Sequence, residues 1–168
     1  MSLTMYDASV GTFRLQFEAL RKILGKAEAH AAHKGYDPGL LLQARLYVDM
    51  FPLLRQVQIA CDAAKAGAAR LAGMEPPSHP DDETTFAQLH ARIDKVLAFI
   101  DGIPRASIDG SEGRPIKVPT RERTLELLGQ AYLLGWVLPN FYFHVTTAYN
   151  ILRHNGVELG KRDFLGGG

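Results

Sequence analysis

Apolar residues recur every three or four positions at Val10, Phe13, Phe17, Leu20, Leu24, Ala27 and Ala31. That spacing keeps one stripe of a helix turned to a core, so a first helix is predicted from about Met5 to Ala32. Thr4 with Asp7 three residues later resembles a capping box, and Gly35 suits a left-handed stop. A second stripe runs through Leu42, Leu46, Asp49, Leu53, Gln56, Ala60, Ala63 and Gly67. It predicts one long helix from Asp37 to about Gly73, capped by Asp37 with Pro38 in the first position. Pro52 falls inside that helix, removes one backbone hydrogen bond and predicts a kink.

Three prolines between Met74 and Pro80 predict a loop. Asp81, Asp82 and Glu83 then put negative charge where it favours the positive end of a third helix. Phe86, Leu89, Ile93, Val96, Leu97 and Ile100 form its inner face, and Gly102 with Pro104 ends it. Between Arg105 and Thr120, Ser107 to Gly110 and Ile116 to Val118 flank a glycine-bounded turn, which predicts a short β-hairpin. Thr124 to Leu128 reads equally as strand or helix. The last helix is predicted over Gln130 to His154, kinked or split at Pro139, with Asn155-Gly156 as its stop and an extended tail over 157–168. Four such helices, one joined by a long crossover, predict an all-α, up-and-down four-helix bundle forming a single domain over 1–168.

Composition narrows the function classes. Of the 168 residues, 46% are hydrophobic and 22% charged, as in an ordinary globular domain rather than a disordered chain. The formal net charge is +1, which indicates neither a nucleic-acid footprint nor attraction to an anionic membrane. There is no secretory leader pattern and no uninterrupted apolar run long enough to span a bilayer. The single cysteine, Cys61, cannot form an internal disulfide and sits in a helical context that suits a buried small residue. The expected setting is the cytoplasm.

No dinucleotide, phosphate-loop, serine-nucleophile or paired-cysteine motif is present. One constellation remains. Asn140 and His144 are spaced i, i+4 on the last helix and share a face. Asp49 interrupts an apolar stripe, and a carboxylate at a core position is costly unless it is paired, hydrogen-bonded or metal-bound. Asp49 and His144 are therefore expected to meet inside the bundle, with Gln56, Tyr149 and Arg153 nearby. The same residues also suit a purely structural network, in which Asp49 accepts from His144, Asn140, Arg45 or Arg153 and Gln56 caps backbone opened by Pro52 or Pro139. His30, His33, His79, His90 and His154 are weaker candidates. The aromatic last helix, with Tyr132, Trp136, Phe141, Tyr142, Phe143 and Tyr149, is apolar on every side and offers a face for a homodimer.

The segment Leu138-Pro139-Asn140-Phe141-Tyr142-Phe143-His144-Val145-Thr146-Thr147-Ala148-Tyr149 is distinctive, as are Asp49-Met50-Phe51-Pro52-Leu53 and Gly160-Lys161-Arg162-Asp163-Phe164. Together they resemble an uncharacterised bacterial family of unknown function within the DinB/YfiT-like metalloenzymes, across nearly the whole chain. The resemblance implies a four-helix bundle, frequent homodimers, and a divalent metal such as zinc or nickel held by three histidines. One histidine comes from the second helix and two from the last, at i, i+4. Here His144 falls at the later of those two positions, Asn140 at the earlier, and Asp49, or else Gln56, at the position on the second helix. Two functions follow as expectations. One is a small-molecule or weak metal-binding pocket between the second and last helices, with His144 and Asp49 as ligands. The other is a non-enzymatic binding or assembly module with a structural polar cluster.

Overall fold

The computed structural model describes residues 3–120 and 122–167. A five-residue π-helical turn, Asp7–Gly11, leads into α1 (Thr12–Lys34), and α2 (Gly39–Gln43) is a single turn. α3 (Leu53–Leu71) and α4 (Phe86–Asp101) follow, then the short α5 (Arg105–Ile108). Strands β1 (Pro115–Pro119) and β2 (Thr124–Leu128) pair antiparallel. α6 (Gly129–Tyr132), a second π turn (Leu133–Val137) and α7 (Leu138–His154) form one continuous helical run, and α8 (Lys161–Phe164) closes the chain. The protein is thus mainly helical with one small sheet, and no helix among the described residues is long and apolar enough to cross a membrane.

One apolar core joins the four long helices. The first-helix stripe from Val10 to Ala31 is buried throughout, and Phe13 and Phe17 meet Phe141 of α7 edge-on at 5.0 and 5.2 Å. Gly35 ends α1 at φ 73°, donating to the Ala31 and Ala32 carbonyls.

The second predicted helix is where the structure departs most. Pro52 does not kink a helix there; it begins one. Pro52 is extended (ψ 167°) and serves as the N-cap of α3. Proline disfavours helical backbone at the residue before it and donates nothing to the turn behind it, so the chain upstream leaves the helix. Residues 44–52 become a loop, closed by Leu53 N–H donating to the Ala44 carbonyl at 2.9 Å. Leu46 and Asp49 are exposed there instead of lining a core stripe.

Three smaller expectations are corrected. The acidic run Asp81 to Glu83 precedes α4 rather than opening it. Thr85 and Gln88 form the capping box instead, and Asp81 and Glu83 pair with Arg55 and Arg92. The hairpin lies later than predicted, because Arg105–Ile108 is helical and Thr124–Leu128 is the second strand. Ile116 and Val118 face the core, while Lys117 pairs with Glu126 at 3.4 Å on the outer side. A β-carbon on Gly129 would lie 1.9 Å from the Ser111 carbonyl oxygen, so only glycine fits where the strand returns to the helix. The tail folds back rather than extending: Gln16 donates to the Phe164 carbonyl at 2.9 Å, and Lys26 pairs with Asp163 at 2.5 Å. The last residue of that expected tail, Gly168, lies outside the described residues.

Pro139 neither splits nor visibly breaks the last helix. It stands in the first turn of α7, directly after the π turn.

Candidate functional site

α3 and the α6–α7 run pack against each other in opposite directions. Gln56 meets His144, Gly67 faces Val137, and Arg70 meets Tyr132, so residue numbers rise along one helix as they fall along the other. A β-carbon on Gly67 would come within 2.5 Å of a Val137 methyl, which shows how closely the helices approach. From Gln56 to Arg70 the seam runs about 21 Å along the axis. It is apolar in its middle and polar at intervals.

At one end the His144 Nδ1 lies 2.7 Å from the Gln56 Oε1, and the Gln56 Nε2 donates to the Phe51 carbonyl at 2.9 Å. That chain of bonds assigns the roles. An amide oxygen only accepts, so Nδ1 carries the proton and Nε2 keeps its lone pair. Gln56 is buried and His144 is 9% exposed. Burial, reinforced by the nearby Arg55 charge, pushes the imidazole down to about 4, so it is neutral at physiological pH. Phe143 stands edge-on to the ring at 5.1 Å.

The predicted partner is absent from this place. Asp49 is exposed in the loop before α3 and makes no bond to His144. The expected buried carboxylate never forms, because the backbone that was to carry it inward is not helical. Asn140 borders the same seam one turn from His144, but its amide nitrogen donates to the Trp136 carbonyl at 2.8 Å. Tyr149 packs against Phe164 at 5.9 Å, and Arg153 is exposed, so neither joins the pair.

These residues do not fit the metal that the resemblance implies. Around His144 the donor set is one imidazole and two neutral amides, and neutral amides are weak ligands for first-row metals. No group of three His, Cys, Asp or Glu side chains able to hold a metal occurs among the described residues.

Further along, a cavity of about 150 Å³ opens between the helices. Ile59, Ala63 and Ala66 of α3 and Val137 form its apolar wall, with Trp136 beside them. Asp62, Arg70, Tyr132 and Asn140 supply its polar groups. Arg70 donates to the Tyr132 Oη at 3.2 Å. A larger hollow of about 460 Å³ lies by the C-terminal turn of α1, between His30, His33, Lys34 and Glu158. It is rimmed by residues of a helix end and has no buried polar group converging on it.

A second polar network escaped the sequence reading. Arg92 of α4 is 3% exposed and binds Asp62 at 3.0 Å, Asp81 at 2.9 Å and Glu83 at 3.0 Å. Burial opposes the Arg92 charge, but the hydrogen bond that Arg92 donates to Glu83 and the neighbouring carboxylates hold it above the ordinary arginine range. Lys65, also buried, shares Asp62 at 2.8 Å, and buried Gln58 donates to Glu83 at 2.8 Å. A cation between Leu89 and Ile93 on an apolar stripe, with three carboxylates just upstream, was the available signal. Cys61 lies beside this network, and burial pushes its thiol up to about 12.

A family model described as a domain of unknown function (DUF1993) matches residues 5–165. A crystal structure of a DinB family member protein from Shewanella denitrificans is 45% identical, with a TM-score of 0.88, and the match covers 96% of this chain and 91% of that one. No curated protein matches the chain.

Proposed function

The chain belongs to the family of unknown function DUF1993, and from that premise we propose that it is a binding module that takes a small molecule on the seam between α3 and the α6–α7 run without a metal. The observation that carries this is the neutral His144–Gln56 pair one turn from a cavity bordered by Asn140. A proton acceptor near 4 is a poor general base at neutral pH, because catalytic efficiency needs a value near the working pH. The same neutral imidazole is a good hydrogen-bond acceptor through Nε2. Concave, mostly apolar clefts with a few converging polar groups are the usual form of small-ligand sites. In this reading the four long helices form an up-and-down bundle that works in the bacterial cytoplasm.

The test is thermal denaturation of untagged protein with a metal series and a small-molecule panel. Zinc, nickel and manganese should leave the midpoint unchanged, and a chelator should do nothing. At least one class of small molecule should raise the midpoint, and seam variants should abolish the rise. A zinc- or nickel-dependent rise that disappears in His144→Ala would overturn the metal-free reading.

A second reading, a homodimeric assembly module, is favoured by two exposed rings beside the pair. Phe51 is 51% and Phe143 56% exposed. Phe51 lends its carbonyl to Gln56, and Phe143 meets the His144 ring edge-on. Light scattering over a wide concentration range should then show dimers that Phe143→Ser dissociates. A strict monomer at every concentration removes this reading.

A further inference from the structure

We propose that the cavity between α3 and the α6–α7 run takes a small organic carboxylate, seated on Arg70 and Tyr132 with its apolar body against Trp136. This rests on the binding-module reading and names its ligand class.

Two charged side chains border the cavity, and only one of them lacks a full counter-charge. Asp62 is held by Lys65 at 2.8 Å and by Arg92 at 3.0 Å. Arg70 faces the phenol of Tyr132, and no carboxylate comes within ion-pair distance of it among the described residues. It sits in the last turn of α3, where the helix dipole offers partial negative charge but no full anion. The cavity therefore presents a net positive end, which selects an anion of single charge over a cation or a neutral molecule.

The donors suit a carboxylate. Arg70 directs NH1 to Tyr132, and no other hydrogen bond from it occurs among the described residues, so most of its planar fork remains available. Burial raises the Tyr132 phenol above its ordinary range, with Arg70 opposing, so the O–H stays protonated. Its present acceptor, the Ala66 carbonyl, is distant at 3.4 Å, and a carboxylate oxygen would be a better one.

Space sets the body. Alanines at 63 and 66 leave room that larger side chains would fill. A cavity of about 150 Å³ is the size that holds a benzene ring, so the enclosed part of the ligand has about six heavy atoms. The Trp136 ring gives this body a flat apolar wall. Asn140, fixed by its bond to the Trp136 carbonyl, keeps its side-chain oxygen for a hydroxyl on the far side of the ligand.

Trp136 is the chain's single tryptophan, so intrinsic fluorescence reports on this cavity. Benzoate and hexanoate are titrated against their neutral isosteres benzamide and hexanamide. The carboxylates should give a saturable change with affinity about ten-fold or more above the amides. Arg70→Gln should weaken carboxylate binding by about ten-fold and abolish that preference, and Arg70→Lys should fall between because it keeps charge but loses the fork. Lys117→Gln, which removes a cation on the hairpin, should change nothing. Circular dichroism of each variant guards against misfolding, and Arg70→Lys carries the test should Arg70→Gln fail to fold. Equal binding of acid and amide, or undiminished binding by Arg70→Gln, overturns the carboxylate assignment. Saturation by some other neutral or cationic member of the panel overturns it too, while leaving the binding-module reading in place. A Trp136 signal indifferent to every compound, with no midpoint rise, removes both.

Discussion

The His144 Nδ1 and the Gln56 Oε1 lie 2.7 Å apart, joining two helices whose residues are 88 positions apart in the chain. The bond fixes the tautomer while burial keeps the imidazole neutral, and three consequences are measurable.

Stability should depend on pH through this ring. An imidazole near 4 in the folded chain, against an ordinary 6.5, binds fewer protons than the unfolded chain between those values. Its contribution is therefore full above about 6.5 and is lost as the pH falls towards 4, up to a ceiling of about 3 kcal/mol. Urea denaturation of the wild type and of His144→Gln at a series of pH values checks this. The variant should lack that part of the acid sensitivity; identical profiles would contradict it.

Replacing the amide by an acid should reverse the ring's behaviour. Gln56→Glu puts a carboxylate against Nδ1, which favours the imidazolium and should raise the His144 pKa by about 1–3 units. Histidine NMR titration reads this directly. A ring that still titrates near 4 beside Glu would mean that the pair does not form in solution.

Removing the amide without replacing it should cost stability. Gln56→Leu leaves Nδ1–H and the Phe51 carbonyl without partners, a loss of about 1–3 kcal/mol. Equilibrium unfolding should show a lower midpoint at unchanged denaturant slope.

The buried cation of α4 should matter more than any surface pair. Arg92→Leu leaves Glu83, whose side chain is only 11% exposed, with the neutral Gln58 as its partner and removes the cation shared by Asp62 and Asp81. A loss of about 3 kcal/mol is expected, against less than about 1 for Lys117→Gln on the exposed hairpin. Calorimetry of both variants makes the comparison, and similar small losses would show that the network is not supporting the loop before α4.

Close helix contact should be sensitive to one methyl group. Gly67→Ala places a β-carbon 2.5 Å from Val137 and should destabilise by about 1–3 kcal/mol, with Val137→Ala restoring much of it. Additive losses in the double variant would argue against direct contact.

The chain's own pattern determined the helices that bury a continuous apolar stripe. Val10 to Ala31 and Phe86 to Ile100 read true because a 3.6-residue period needs no knowledge of what lies opposite. The place of His144 on an inward face was legible for the same reason. Its partner was not. Asp49 fitted the period of the second helix, but period alone does not show whether a proline kinks a helix or starts one. That was decided by whether residues 44–52 gained more from helix or from the loop closed by the Leu53–Ala44 hydrogen bond. The Arg92 network and the Arg70–Tyr132 contact likewise join residues 30 and 62 positions apart on either side of loops. Local sequence determines which face of a helix turns inward, but only the packed structure decides which polar groups meet there, because that depends on the relative register of helices set by contacts such as Gly67 against Val137.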